Sequence, residues 1–365
     1  MNNILVVNTG SSSLKIRMLD AGDRIVESAD LPGGAEGLES LDGLLDRWPA
    51  FEVSGHRVVH GGSRFRSSVL VDAKVVDALD DLSALAPLHN PPAVSGIRAI
   101  MKLVPDRPVV ACFDTTFHAG IMKEAAVYGL PWRWSEDLGV RRYGFHGLSH
   151  AYVSRRAAEL LGRSVADLRT VTCHLGAGAS LAAVSGGRSV DTTMGFTPLE
   201  GLIMATRSGS VDPGAVLWLQ EKLGLSPAEM TEELERSSGL LGMTGISEDI
   251  RDVISAADAG EPRSQLAMAA YVHRIRCGIA AMAASMGGLD AVVFTGGVGE
   301  TSHRIRSLVC QGLEFLGIKL DEDGNADPNK RDLDISQREC PIRLLRIYTR
   351  EDLEIAAEVR KLLSL

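Results

Sequence analysis

Short apolar runs alternate with amphipathic stretches along the whole chain. Residues 4–8, 58–60, 109–113, 170–174, 181–184, 291–295 and 344–348 have the length and composition of buried strands. Between them, Ile275, Ile279, Met282 and Met286 recur at helical spacing. Ser226, Pro227 and Glu229 form a capping box with a first-turn proline, which predicts a helix starting at Pro227. Strands alternating with helices indicate an α/β protein. Residues 33–47 and 321–334 are polar and rich in glycine or aspartate, and read as surface segments. No low-complexity tract or short tandem period interrupts the pattern.

One small-residue hairpin occurs twice. Asn8-Thr9-Gly10-Ser11-Ser12-Ser13-Leu14-Lys15 follows the first apolar run, and His174-Leu175-Gly176-Ala177-Gly178-Ala179-Ser180 follows a later one. Gly10 and Gly176 each stand two places after a polar residue, and Asn8 and His174 are 166 positions apart. Glycines and serines admit a phosphate close to the backbone, where N–H and O–H groups donate to its oxygens. Two such hairpins suggest a duplicated fold gripping one polyphosphate from both sides. A third glycine loop, Gly296 to Thr301, follows the run 291–295 and predicts a strand, a glycine turn and a helix. Neither a dinucleotide-binding G-x-G-x-x-G opening a first βαβ unit nor a G-x-x-x-x-G-K-[ST] loop is present.

The chain has 365 residues, more than one core usually serves, so two domains are expected. Its net charge of −9 argues against wrapping nucleic acid but not against binding nucleotides, which needs only local cations and amides. No apolar run approaches the ~20 residues of a membrane helix. The first residues enter a strand pattern without a basic and then apolar leader, which sets the expectation of a cytoplasmic protein with no membrane partner. Five scattered cysteines, Cys112, Cys173, Cys277, Cys310 and Cys340, read as reduced, buried thiols.

Polar groups cluster where apolar runs end. Arg57 and His60 precede Gly61 and Gly62; His89 sits in a proline-locked loop; Asp114 and His118 follow an apolar run; Arg142, His146 and His150 share one segment. Arg207 lies among threonine, serine and glycine, where a guanidinium can face a phosphoryl group. Phosphoryl transfer needs cations on the equatorial oxygens, a magnesium ion, and alignment of donor with acceptor. Lys15, Arg57, Arg207, His146 and His174 are the available cations or donors, and Asn8, Asp114 and Glu351 are oxygen ligands suited to a hard metal or its waters.

Six segments, in order, resemble those of acetate kinases. They are Asn-Thr-Gly-Ser-Ser-Ser-Leu-Lys, Gly-His-Arg-Val-Val-His-Gly-Gly, Phe-Asp-Thr-Thr-Phe-His, Arg-Tyr-Gly-Phe-His-Gly-Leu-Ser-His, Met-Gly-Phe-Thr-Pro-Leu-Glu-Gly and Phe-Thr-Gly-Gly-Val-Gly-Glu. The resemblance implies a duplicated ribonuclease-H-like (actin-like ATPase) fold with two domains and a central cleft. It places residues 1–148 and 350–365 in the first domain, and 149–349 in the second. It also implies a homodimer and reversible transfer from ATP to acetate, giving ADP and acetyl phosphate, with Mg²⁺ or Mn²⁺. By position, Asp114, His146 and Arg207 would be catalytic. Arg57 would bind the carboxylate or phosphoryl group, and Val59, Leu88, Phe145 and Pro198 would receive the methyl group. Ser11, Ser13, Lys15, His174, Leu175, Gly176, Ala177 and Gly178 would hold the ATP phosphates. Asp249, Ile250 and Arg251, with Gly297, Val298, Gly299, Glu300 and Thr301, would flank the nucleotide. Asn8 and Glu351 would serve the metal.

Acetate is already ionised at neutral pH, since carboxyl pKa values lie near ~4, so it needs no base before attacking phosphorus. Asp114 is therefore expected to position metal-bound waters or the arginines rather than to carry a proton. Ala177, Thr301 and Ile250 depart from the residues the family commonly has, all on the nucleotide side. Rival readings are a propionate or other short-chain acid kinase, a nucleotide-dependent scaffold or chaperone, and a kinase using pyrophosphate.

Overall fold

The structure is a computed structural model that describes residues 3–9, 13–87 and 89–365. Its strands are β1 (Ile4–Thr9), β2 (Ser13–Leu19), β3 (Ile25–Pro32), β4 (Val53–Val58), β5 (Val69–Leu70), β6 (Val109–Phe113), β7 (Arg169–Leu175), β8 (Ala179–Ser185), β9 (Arg188–Thr192), β10 (Ala291–Thr295), β11 (Leu333–Asp334) and β12 (Arg343–Arg346). They form two six-stranded sheets, ordered β3-β2-β1-β4-β6-β5 and β9-β8-β7-β10-β12-β11. The second order is the first with every number raised by six. In each sheet three antiparallel strands lead into two more that run parallel to the third, and a two-residue antiparallel strand closes the edge. Both meanders carry a register shift on their outer pair, at Met18/Leu19 and at Ala183/Val184. The duplicated α/β, actin-like architecture is thus visible strand by strand.

Contacts divide the chain into two units. One comprises Met1–Ala119, Phe145–Tyr152 and Arg350–Leu365; the other comprises Gly120–Gly144 and Val153–Thr349. Residues 120–144, assigned by sequence to the first half, make their contacts in the second unit.

In the first unit, strand periodicity sorts side chains onto two buried faces. Leu5, Val7, Leu14, Ile16, Val58 and Phe113 join the helices Ala73–Asp81 and Asn90–Leu103 on one face. Ile4, Val6, Val53, Val110 and Cys112 meet Ile355, Ala356 and Val359 of the helix Glu351–Leu363 on the other. That helix lies so close to β4 that a Cβ on Gly55 would fall 2.6 Å from Ile355 Cγ2 and 2.8 Å from Val359 Cγ2. In the second unit the helix Pro262–Ser285 buries Ile275, Ile279 and Met282, as their spacing predicts, while Met286 is its half-buried C-cap.

Several local expectations shift. The strand expected at 58–60 is β4, ending at Val58, and the last expected strand ends at Arg346. Residues 33–47 are not simply a surface segment. They contain the helix Ala35–Leu45, because Leu38, Leu41 and Leu45 recur at helical spacing and Leu41 is fully buried. The predicted helix at Pro227 forms with its capping box. Four cysteines are buried as expected, but Cys277 is exposed.

Gly55→Ala is expected to destabilise the protein by about 1–3 kcal/mol through overpacking. Val359→Ala in the same background should recover part of that loss. Urea unfolding checks both, and an unchanged midpoint for the single variant would refute the close approach.

Candidate active site

Alternation along β1, β4 and β6 places Asn8, Arg57 and Asp114 on the face shared with Val6, Gly55 and Cys112. All three lie at the carboxyl ends of adjacent parallel strands, where open α/β sheets hold ligands. Arg57 donates from Nε to Asp114 Oδ1 at 3.0 Å and from Nη2 to Oδ2 at 2.6 Å. Its Nη1 donates to Asn8 Oδ1 at 3.3 Å, and Asn8 Nδ2 donates to Glu351 Oε2 at 3.0 Å. Glu351 Oε2 also stands 3.9 Å from Arg57 Nη1. Glu351 enters from the first turn of the helix Glu351–Leu363, where an acid suits the helix dipole.

Burial raises the Asp114 carboxyl above its ordinary value, against the pull of Arg57, and the charge of Glu351 adds to the rise. The two-pronged pairing holds the ionised form. His146 donates its backbone N–H to the same carboxylate. His146 has φ 56°, a left-handed conformation uncommon for a side-chain-bearing residue. The next residue must be glycine: Gly147 N donates to Asp114 O at 3.0 Å, and a Cβ there would lie 2.1 Å from that oxygen. Asp114 therefore fixes both Arg57 and the turn that presents His146.

Lys15, the register partner of Asn8 on β2, is exposed on the same face. Ser13 and Val59 are half-buried. Phe145 is buried against the His60 ring at 5.2 Å, and its carbonyl lies 3.0 Å from His118 Nε2. Ser11 and Leu88 lie outside the described residues.

The second unit holds a different kind of site. A pocket of about 430 Å³ is lined by Gly176, Ala177, Ala205, Leu240, Glu248, Asp249, Ile250, Arg251, Tyr271, Gly297, Val298, Thr301 and Ser302. Two glycine loops and the Asp249 segment thus converge, as the sequence suggests. The helix Gly296–Thr301 begins directly at the end of β10, so its glycines form the first helical turn instead of a separate turn. Gly296 has φ 75°, and a Cβ there would lie 2.7 Å from Leu175 O. Asp249 caps the helix Ile250–Asp258 and pairs with Arg251, which draws its carboxyl down to about 2.

Several expected residues stand outside the pocket lining. Leu175 is fully buried, and the Gly178 carbonyl accepts from Gly176 N at 3.0 Å. His174 and Gly299 do not line it either. Glu300 is an internal fastener: Oε1 accepts from Gly296 N at 3.0 Å, Thr349 N at 3.0 Å and Thr295 Oγ1 at 3.3 Å. Burial raises its pKa. Arg207 Nη1 donates to the carbonyl of Pro198, itself buried, at 3.3 Å, and burial lowers the guanidinium pKa. Of the lining residues missed by sequence, Glu248 and Ser302 adjoin marked motifs. Ala205, Leu240 and Tyr271 carry no local signal, because tertiary packing alone brings them there.

A profile of the acetokinase family matches residues 39–357. An acetate kinase from Trichormus variabilis is 51% identical over 321 residues, covering 88% of this chain and 79% of that one. The chain belongs to the acetokinase family. It is thus a kinase, a transferase that uses ATP as co-substrate. Its fold superposes on acetate kinase from Porphyromonas gingivalis with a TM-score of 0.91 and 36% identity, covering 100% of each chain. A propionate kinase from Francisella tularensis gives 0.90 and 34% identity, covering 98% of this chain and 99% of that one. Among the described residues no helix is long and apolar enough to cross a membrane.

Glu300→Ala leaves three donors without their acceptor. It is expected to cost about 1–3 kcal/mol of stability. Denaturant unfolding alongside ATP titration checks this. Full stability with only ATP affinity lost would instead make Glu300 a direct ligand contact.

Proposed function

We infer that the enzyme transfers the γ-phosphoryl group of ATP reversibly to acetate, giving acetyl phosphate and ADP. The observation that carries this reading is the Arg57–Asp114 fork, joined by Asn8 and Glu351 at the ends of three parallel strands. A scaffold or chaperone needs a nucleotide pocket but no such clamp.

The carboxylate oxygen of acetate attacks phosphorus as the bond to the ADP oxygen breaks. Arg57 binds the acyl carboxylate or the incoming phosphoryl group, and Asp114 orients Arg57 without transferring a proton. His146 and Arg207 stabilise the charge on the equatorial oxygens. Lys15, Ser11, Ser13 and the loop from His174 to Gly178 serve the ATP phosphates, while Asp249, Ile250, Arg251, Gly297, Val298, Gly299 and Thr301 flank the nucleotide. Glu300 acts by holding the third loop. Val59, Leu88, Phe145 and Pro198 receive the methyl group.

Asn8 and Glu351, close to Asp114, present hard oxygen donors. Among the described residues no cluster of three His, Cys, Asp or Glu side chains forms a metal cage. The donor set fits a hydrated Mg²⁺ or Mn²⁺ completed by phosphate oxygens. One guanidinium beside two carboxylates sums to a negative charge, so a divalent cation held by Asn8 and Glu351 would make this cluster receptive to phosphate.

The helix Pro213–Leu223 buries none of its residues and leaves Leu217, Trp218 and Leu223 at least 60% exposed. Such an apolar face supports a homodimer. Free cysteines support a cytoplasmic location, with acetyl phosphate feeding acetyl-CoA biosynthesis. A propionate kinase among the similar structures keeps propionate as the second reading, since one methylene is worth only ~1–3 kcal/mol.

Hydroxylamine trapping of acyl phosphate with ATP, Mg²⁺ and C1–C5 acids tests the reading. Turnover of acetate is expected, and none with any acid would defeat it; a higher kcat/KM for propionate would install the alternative. Asp114→Asn should lower kcat by a factor of about 10² or more with an unshifted pH profile, because a misaligned arginine loses transition-state stabilisation. Activity recovered at another pH would restore a proton-transfer role. Sedimentation at the mass of a single chain would remove the dimer.

A further inference from the structure

A second cavity, of about 350 Å³, opens in the same unit as the nucleotide pocket. It is lined by Ile203, Ser208, Ser210, Ser237, Ser238, Gly239, Gly242, Met243 and Arg274. Its lining carries one cation and no carboxylate, in a chain of net charge −9. Arg274 projects from the helix Pro262–Ser285 and makes no hydrogen bond or ion pair among the described residues. Two hydroxyls have donors to spare. Ser210 Oγ accepts from Gly201 N at 3.1 Å, which leaves its own proton available, and Ser237 Oγ has no partner among the described residues. Ser208 and Ser238 spend theirs on the carbonyls of Gly209 and Glu233.

This cavity and the nucleotide pocket share a wall. Ile203 and Ser208 line one and Ala205 the other, on the segment that also carries Arg207. Leu240 faces the nucleotide pocket while Gly239, Gly242 and Met243 line the second cavity, on one short helix. Backbone bonds lock the two strips together: Leu240 N to Met204 O at 2.9 Å, Leu241 N to Ala205 O at 3.0 Å and Ser238 N to Thr206 O at 3.0 Å. Gly239 has φ 61°, and a Cβ there would lie 2.3 Å from Met204 O, so the strips touch without room for a side chain.

We propose that this cavity binds a small multivalent anion, held by the Arg274 guanidinium and the Ser210 and Ser237 hydroxyls, and that its occupancy is coupled to nucleotide affinity through the shared wall. The coupling rests on the nucleotide reading above; the anion site does not. A bound anion meets charge-assisted donors on one side and the Arg207 segment on the other, so whatever orders that segment alters both pockets reciprocally.

Calorimetric titration of the full-length enzyme with inorganic phosphate, at saturating ADP, tests the site. The wild type should bind phosphate, and Arg274→Gln should weaken that binding about tenfold or more, as loss of a charge-assisted contact implies. Ser210→Ala with Ser237→Ala should weaken it less. Basal kcat and ADP affinity of Arg274→Gln without phosphate should match the wild type, which also shows that the variant folds. Phosphate binding that Arg274→Gln leaves unchanged, or no phosphate binding by the wild type, overturns the site. Phosphate binding lost in the variant, with ADP affinity indifferent to phosphate, overturns the coupling alone. Failure of ADP itself to bind would instead strike the nucleotide reading.

Discussion

A guanidinium held in a fork by a buried carboxylate organises the first unit. Arg57 sits on β4 and Asp114 just past the end of the neighbouring parallel strand β6, and their pairing satisfies two charges that burial would otherwise penalise heavily. The same carboxylate takes the His146 amide, and its backbone carbonyl takes Gly147 N. One residue thus determines the direction of an arginine and the entry of the helix Gly147–Leu161. Asn8 extends the network to Glu351, so the C-terminal helix is tied to the strand ends by polar bonds as well as by the Ile355 and Val359 packing behind them.

The two sheets repeat one topology but present different chemistry at the carboxyl ends of their strands. In the first, charged side chains gather on one face. In the second, glycines at Gly176 and Gly297 strip away side chains and leave backbone at the pocket wall. Under the proposed function, the contrast matches what each surface would meet. A polyphosphate is held well by many amides at close range. A small carboxylate exchanging a phosphoryl group needs a few strong charges whose directions are fixed.

In the second unit, buried polar groups hold the glycine-rich third loop from within. Glu300 ties the end of β10 and its helix to Thr349, beyond β12. Arg306, almost wholly buried, donates to the carbonyls of Gly299 and Glu300 and to Asn325, so the apparently loose segment around 325 is part of the support of the third loop. Burial without a carboxylate partner draws the Arg306 guanidinium down to about 10.

The sequence alone determined the α/β class, the duplication and most of the strand cores, because periodicity and glycine-rich turns are written locally. Local pattern misjudged residues 33–47, whose leucines form a helix among polar neighbours, and it placed 120–144 with the wrong half of the contacts. A motif records that Glu300 is present but not where its carboxylate points, which is toward Gly296, Thr349 and Thr295. Only tertiary structure decided that Arg57 is forked on Asp114 and that Glu300 faces inward. It alone brought Tyr271 and Leu240 to the pocket between the glycine loops, and it alone set a second cavity against the same wall. Those outcomes depend on distances between segments far apart in the chain, which no local spacing encodes.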